Sequence, residues 1–255
     1  MFVVAFFDCR SCKNLLKCPK LPSDGETKSN IQNLKSKIHM TQVQTKLATD
    51  EWVTATWDDY IQAIAEPAYE TAKCYYYNGQ LRIEMTPQGF DHSCDNFSVG
   101  SAIAIFTGIK RIPLSGVTLC TFRKPAEADC QPDLALYIGE RAKIIPFATS
   151  LVDLNVYPTP DLVIEIAKTS LSDDLGSKRL LYERLGVAEY WVVDVRQCQL
   201  IAFAVAGGGS KQIAQSQVLP ALPFTLLEEA LRQSRATGRS QLYTWLIAQI
   251  QALGD

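Results

Sequence analysis

Several things are missing from this sequence, and each absence removes a class of function. No charge of one sign dominates, since 25 lysines and arginines stand against 27 aspartates and glutamates for a formal net charge of -2. Without an overall basic field nucleic acid is not held non-specifically, so any DNA contact has to rest on local charge or on a metal ion. No apolar run approaches the roughly 20 residues of a membrane helix, which excludes a transmembrane helix. P-loop, G-x-G-x-x-G, G-x-S-x-G and H-E-x-x-H patterns are all absent, and with them the common nucleotide, dinucleotide, serine-hydrolase and zincin signatures. There is no internal repeat of the kind a solenoid needs. Phe2 to Phe7 is apolar, but no basic segment precedes it and Asp8 closes it, so it does not read as a secretory signal.

What is present is a chain of 255 residues, 47% hydrophobic and 20% charged, enough to bury a substantial core. Of its eight cysteines, Cys74, Cys94, Cys120, Cys130 and Cys198 are scattered among apolar residues, as reduced thiols of a cytoplasmic protein would be. Residues 1–39 differ from the rest: Cys9, Cys12 and Cys18 are followed by a Lys/Ser/Asn-rich stretch without helix or strand period. They read as an extension. Cys9-x-x-Cys12 is half a zinc site without a matching second pair, and Met40 is an alternative start. Residues 40–255 are then a single domain.

The order of elements is mixed. Thr56-Trp-Asp-Asp59 reads as a capping box opening a short helix that ends before Pro67. Cys74 to Tyr77 and Leu81 to Met85 flank Asn78-Gly79, the dipeptide that suits a type I′ hairpin turn, with Pro87 and Gly89 beyond. A long helix follows from Asp91, its expected N-cap, to Ile109, with Phe97, Ile103, Ile105 and Phe106 as apolar bulk. Val117 to Phe122, Pro132 to Ile138 and Leu162 to Ala167 read as strands and Leu175 to Leu185 as a helix. Tyr190 to Val195 and Leu200 to Val205 form a strand pair before the Gly207-Gly-Gly209 break, and the C-terminal Leu226 to Leu231 and Gln241 to Leu253 are helical. The Tyr190 and Trp191 rings read as core, and Asp194 as a turn former at the strand end.

The candidate chemistry is acidic. Asp133 opens one apolar strand and Glu165 lies inside another, where a carboxylate costs several kcal/mol unless it is paired or bound to a cation. By alternation Glu165 shares its face with Asp161, Val163 and Ala167, whereas Lys168 points the other way. In the following helix Leu175, Lys178, Leu181, Tyr182 and Leu185 make an inward stripe, while Arg179 and Glu183 form an outer i, i+4 pair. Lys178 either snorkels to solvent or joins the acids. Two acids and one lysine can hold a divalent cation and present an ammonium to a scissile phosphate, as metal-assisted phosphodiester hydrolysis requires. Asp161, just after Pro160, reads as a capping or solvent-exposed carboxylate or as a further ligand. Glu84, alternating with Arg82, is a solvent-face residue, a cross-strand ion partner or a metal ligand.

The run Pro160-Asp-Leu-Val-Ile-Glu-Ile-Ala-Lys-Thr-Ser-Leu-Ser-Asp-Asp-Leu-Gly-Ser-Lys-Arg-Leu-Leu-Tyr-Glu-Arg-Leu-Gly-Val-Ala-Glu-Tyr-Trp-Val-Val-Asp194 resembles the Uma-type restriction endonuclease family of the PD-(D/E)XK nuclease superfamily. The helix start at Trp57 to Tyr60, the Asn78 to Met85 hairpin, His92 and Pro132-Asp133 support it, and it covers about residues 45 to 235. The resemblance implies a restriction-endonuclease-like α/β core, a mixed sheet with flanking helices. It implies Asp133, Glu165 and Lys178 as catalytic residues, and Asp133, Glu165, Glu84 and His92 around Mg²⁺ or Mn²⁺. In the superfamily's usual pattern the lysine follows the second acid by two residues. Here that position is Ala167, so Lys178 takes the role from the helix, with Lys168 as its competitor.

The expected activity is metal-dependent hydrolysis of double-stranded DNA by a cytoplasmic homodimer, with strand pairs such as Tyr190 to Val205 extending across a twofold axis. Lys110, Arg111, Arg123 and Lys124 are the candidate basic surface. The competing readings are a catalytically inactive nuclease-fold binding or regulatory module, and a small-molecule hydrolase that uses the same acids.

Overall fold

The computed structural model describes residues 47–85 and 89–254. The extension 1–39 with its three cysteines, the alternative start at Met40, and Pro87 lie outside the described residues. In chain order the strands are β1 (Trp52–Thr54), β2 (Lys73–Tyr77), β3 (Gln80–Glu84), β4 (Leu114–Val117), β5 (Phe122–Lys124), β6 (Ala128–Cys130), β7 (Leu134–Ile138), β8 (Val152–Asp153), β9 (Leu162–Ala167), β10 (Glu189–Asp194), β11 (Gln199–Ala206) and β12 (Gly209–Ile213). The helices are α1 (Trp57–Ile64), α2 (Phe90–Ile109), α3 (Leu171–Asp174), α4 (Ser177–Leu185), α5 (Phe224–Ala236) and α6 (Arg239–Ala252).

The fold is mixed α/β, but the strands form two six-stranded sheets where one central sheet was expected. Their orders are β1-β3-β2-β6-β5-β8 and β12-β11-β10-β9-β7-β4. The expected strand from Val117 to Phe122 is where they part. Leu119 takes a left-handed conformation, φ 54°, and its N–H donates to Pro132 O at 3.1 Å, so β4 joins one sheet and β5 the other. Periodicity carries no sign of such a bend.

Local signals hold where they are short-range. Thr56 caps α1, with reciprocal bonds between its hydroxyl and the Asp59 backbone and between the Asp59 carboxylate and the Thr56 backbone. Asn78 and Gly79 both take positive φ, 51° and 72°, as a type I′ turn demands, and the turn sets the register Tyr77↔Gln80, Tyr75↔Arg82, Lys73↔Glu84. The N-cap of α2 is Gly89, and Asp91 is an exposed first-turn residue rather than the cap. Phe97 on the same helix is 56% exposed instead of adding core bulk. The helix read from Leu175 to Leu185 is α4, starting at Ser177; Gly176, where a Cβ would lie 2.8 Å from Ser172 O, separates it from the short α3. This start puts Lys178 in the first turn of α4.

The parallel pair β9 and β10 is central and buried on both faces, which explains its near-continuous apolar sequence. Leu162, Ile164, Ile166, Trp191 and Val193 join one core with residues of α2, α5 and α6. Val163, Ala167, Tyr190 and Val192 join another with Tyr75 of β2 and Leu181 and Tyr182 of α4. Since β10 lies between β9 and β11, and β11 is covered by β12, the strand pair expected to extend across a twofold axis has no free edge. Tyr190 and Trp191 are core, and Asp194 accepts from Arg196 N and Gln197 N to close the turn after β10, as anticipated.

Candidate active site

Three pieces of chain build the site, and two of them are fixed by strand register. Antiparallel pairing of β7 with β9 sets Leu134 opposite Ile164, so Asp133, one residue earlier, stands across from Glu165. Asp133 Oδ2 accepts from Ile166 N at 2.9 Å, which anchors the carboxylate to β9. On the hairpin, Lys73 and Glu84 are directly opposed and point to the side of Tyr75, away from the α1 side that takes Cys74, Tyr76, Leu81 and Ile83. The third piece is the first turn of α4, which carries Lys178.

These side chains meet in one buried ion-pair network. Lys73 Nζ lies 3.0 Å from Asp133 Oδ1 and 3.6 Å from Glu165 Oε2, bridging the two acids. Lys178 Nζ lies 2.9 Å from Glu84 Oε1 and 3.1 Å from Asp174 Oδ1, above the Tyr75 ring at 4.5 Å. Tyr182 OH donates to Glu165 Oε1 at 2.7 Å, and Ser170 Oγ donates to Asp174 Oδ2 at 2.5 Å. Arg82 Nε reaches both Glu84 and Asp173, at 2.9 and 3.3 Å. His92 Nε2 stands 3.2 Å from Asp133 Oδ2, and its Nδ1 is buried without a hydrogen-bond partner. Lys178 is 2% exposed, so it is part of the network rather than snorkelling.

The electrostatics follow from burial competing with these pairs. Burial raises the Glu165 carboxyl to about 7 despite the nearby ammoniums of Lys73 and Lys178. For Asp133 burial is outweighed by Lys73, by His92 and by the Ile166 N–H, and its carboxyl is held well below the usual range. Glu84 is lowered in the same way, burial losing to Lys178 and Lys73. Burial opposes the charge of Lys178, yet Glu165, Asp174 and Glu84 together raise it well above the ordinary lysine value. One acid of the facing pair is therefore firmly ionised, and the other sits near its titration point at neutral pH.

The structure brings together all five residues singled out in the sequence, Asp133, Glu165, Lys178, Glu84 and His92. It also adds Lys73, Asp174 and Tyr182. Lys73 was within reach of sequence reasoning: the Asn78-Gly79 turn fixes the hairpin register, and counting outward from it sets Lys73 opposite Glu84. Asp174 was within reach as well, since it stands four residues before Lys178, the spacing at which helical side chains meet. Two other candidates lie outside the network. Asp161, far from solvent-exposed, is 9% exposed and pairs with Arg141 while accepting from Ile138 N. Lys168 is exposed and pairs with Asp91 at 2.9 Å. Of the expected basic surface, Arg123 pairs with buried Asp129 and Lys124 with Glu127 at 2.9 Å, while among the described residues Lys110 and Arg111 have no carboxylate partner.

A cleft of about 480 Å³ opens on the network and is lined by Lys73, Glu84, His92, Asp133, Lys168 and Lys178, among others. Among the described residues no three His, Cys, Asp or Glu side chains already converge as a chelating group. The donor chemistry nevertheless fits a hard divalent cation. Glu84, Asp133, Glu165 and Asp174 supply four carboxylates against the two ammoniums of Lys73 and Lys178, and one of those ammoniums already fills the gap between Asp133 and Glu165.

A family model described as "Uma2: Putative restriction endonuclease" matches residues 57–238, a span that holds the whole network. The chain belongs to the Uma2 family. Membership supports a nuclease function, and within the Uma2 match Glu84, His92, Asp133 and Lys178 line the cleft, with Glu165 buried next to them in the same network. No curated protein matches. Among solved structures, this Uma2 chain is similar to "a putative nuclease belonging to DUF820 from Anabaena variabilis ATCC 29413", with 19% identity, coverage of 69% of this chain and 98% of that one, and a TM-score of 0.49.

Proposed function

We propose that this protein is a divalent-metal-dependent DNA endonuclease that hydrolyses phosphodiester bonds in the cleft above Asp133 and Glu165. The observation that carries the reading is the facing pair of buried carboxylates, set opposite each other by β7–β9 register and bridged by a lysine ammonium. A site built only for stability has no need of four carboxylates and two ammoniums around a cleft, because buried ion pairs are seldom better than apolar packing.

Asp133 and Glu165 would hold the Mg²⁺ or Mn²⁺, with Glu84 within the same network. When bound, the metal supplies Lewis acidity to the phosphate and activates the attacking water. The chain's own residues do the rest. The Ile166 N–H and His92 hold the Asp133 carboxylate in place, and Tyr182 orients Glu165. Lys178, held by Glu84 and Asp174, keeps a positive charge beside the position where the phosphate gains negative charge. Two such sites acting together would cut both strands in one encounter, and a homodimer would supply them.

A second reading is the inactive nuclease-fold module. It is favoured by Lys73, whose ammonium already neutralises the pair that would take the metal. Plasmid cleavage with Mg²⁺ or Mn²⁺ separates the two, run on the wild type beside Asp133→Ala, Glu165→Ala and Lys178→Ala. Loss in all three, with thermal melts showing folded protein, supports the endonuclease. Equal activity in wild type and variants would expose a contaminant. Absence of cleavage in the wild type would leave the binding module.

A further inference from the structure

A second cleft lies beside the first, and its charge is opposite to that of the chain. β9 and β10 run parallel, and the cleft opens past their carboxyl ends, where Lys168 follows β9 and Arg196 follows β10. Open α/β sheets bind ligands at such ends because the chain turns away there and leaves a crevice. Its volume is about 670 Å³, and the last turn of α5 and the first residue of α6 contribute Arg235 and Arg239 to its wall. Lys168 lines both this cleft and the catalytic one, so the two adjoin at its side chain.

Four exposed cations, Lys168, Arg196, Arg235 and Arg239, face only two carboxylates here, those of Asp91 and Asp95. The local balance is therefore two positive charges in a chain whose net charge is -2. Asp91 pairs with Lys168 at 2.9 Å, and Asp95 with Arg235 at 3.2 Å. Among the described residues neither Arg196 nor Arg239 has a carboxylate partner. The Arg239 guanidinium instead lies 5.0 Å from the ring centre of Phe97. At the mouth Phe90 is 83% exposed, an aromatic face that the core does not use. Guanidiniums without carboxylate partners beside an exposed apolar ring suit a DNA backbone: phosphates take the charge and the ring packs on the sugars.

We propose that this cleft is the DNA track of the enzyme: the backbone of one strand of the duplex lies along Arg239 and Arg196, passes Lys168 and reaches the catalytic cleft, with Phe90 as an apolar face against its sugars. The inference rests on the nuclease reading and names the surface that feeds that site. It also moves the DNA contact away from Lys110, Arg111, Arg123 and Lys124.

The test is fluorescence anisotropy of a labelled DNA duplex with the full chain in Ca²⁺, measured across salt concentrations. The variants are Arg196→Ala with Arg239→Ala, Arg196→Glu alone, and Lys110→Ala with Arg111→Ala as the comparison. The first pair should weaken binding on the order of tenfold and reduce the salt slope by about 2, one for each lost phosphate contact. Arg196→Glu should weaken binding at least as much as its removal, and the comparison pair should stay within about twofold. Unchanged affinity and slope in the first pair, or an equal loss in the comparison pair, would overturn the assignment. Parallel cleavage assays keep the two claims apart. Cleavage that depends on Asp133 but ignores Arg196 and Arg239 would sink the track alone. Binding that needs both arginines without any cleavage would sink the nuclease reading and keep the surface. A wild type that neither binds nor cleaves DNA overturns both.

Discussion

Two glutamates lie one strand apart in the same sheet, equally buried, and their surroundings could hardly differ more. Glu165 on β9 is 1% exposed and Glu189 on β10 is fully buried, but they point to opposite faces. Glu189 faces the core of α5 and α6 and is satisfied by neutral donors alone: Trp191 Nε1 at 2.9 Å, Ser216 Oγ at 2.8 Å, Val218 N at 3.1 Å and Gln217 N. These bonds tie the segment before α5 to the sheet. Glu165 has one neutral donor, Tyr182, and otherwise depends on ammoniums that other acids share. Burial of a carboxylate does not by itself mark a reactive site. A set of neutral, fully matched donors makes a structural clip, whereas a shared and charge-rich set beside a cleft leaves an acid able to exchange partners.

The largest effect expected from this contrast is on cleavage. Glu165→Gln should lower the rate on the order of 10³-fold, as loss of a metal-binding, charge-stabilising group does, while Glu189→Gln leaves the rate per folded molecule unchanged. A rate loss of similar size in Glu189→Gln would break the contrast.

Next comes stability. Glu189→Ala strands several buried donors and should cost about 2–4 kcal/mol, seen as a lower midpoint in denaturant. Glu165→Gln should behave differently with pH in metal-free protein. The Glu165 carboxyl is raised by burial from 4.5 to about 7, so the fold prefers its protonated form. The stability it contributes is complete below about pH 4.5 and is lost as pH rises through about 7. The variant, with no proton to lose, should show a smaller fall in melting temperature than the wild type between about pH 5 and 8. Asp133 has the opposite sign: its lowered carboxyl contributes stability above about pH 4 that disappears as pH falls. Parallel pH curves for wild type and Glu165→Gln would count against a raised Glu165.

The smallest effects sharpen the contrast at single hydrogen bonds. Ser216→Ala removes one donor from Glu189 and Tyr182→Phe removes the neutral donor from Glu165, each costing about 1 kcal/mol. Cleavage should drop several-fold only in Tyr182→Phe, because only that hydroxyl orients an acid at the cleft.

Much of this architecture was readable before any coordinates. β9 runs from Leu162 to Ala167 as its apolar run indicates, α1 begins at its capping box, and the Asn78-Gly79 turn sets the hairpin. Each of these depends on residues within a few positions of one another. Asp133 and Glu165 were also legible, since a carboxylate in an apolar strand demands a partner. What that partner is was not. Lys73 comes from 60 residues away to reach Asp133, and Lys178 on α4 meets Glu84 on the hairpin. Nor was it legible that Arg123 meets buried Asp129, or that Arg196 and Arg239 come together from separate elements at one cleft.

The sequence by itself determined the local conformations and the identity of the acids, because backbone preferences, turn geometry and the cost of a buried charge act at short range. Only the tertiary structure decided that the strands divide into two sheets, that Glu165 keeps company with lysines while Glu189 does not, and where positive charge gathers. Those outcomes depend on which strands pair and which faces pack, and the contacts that settle them join residues far apart in the chain.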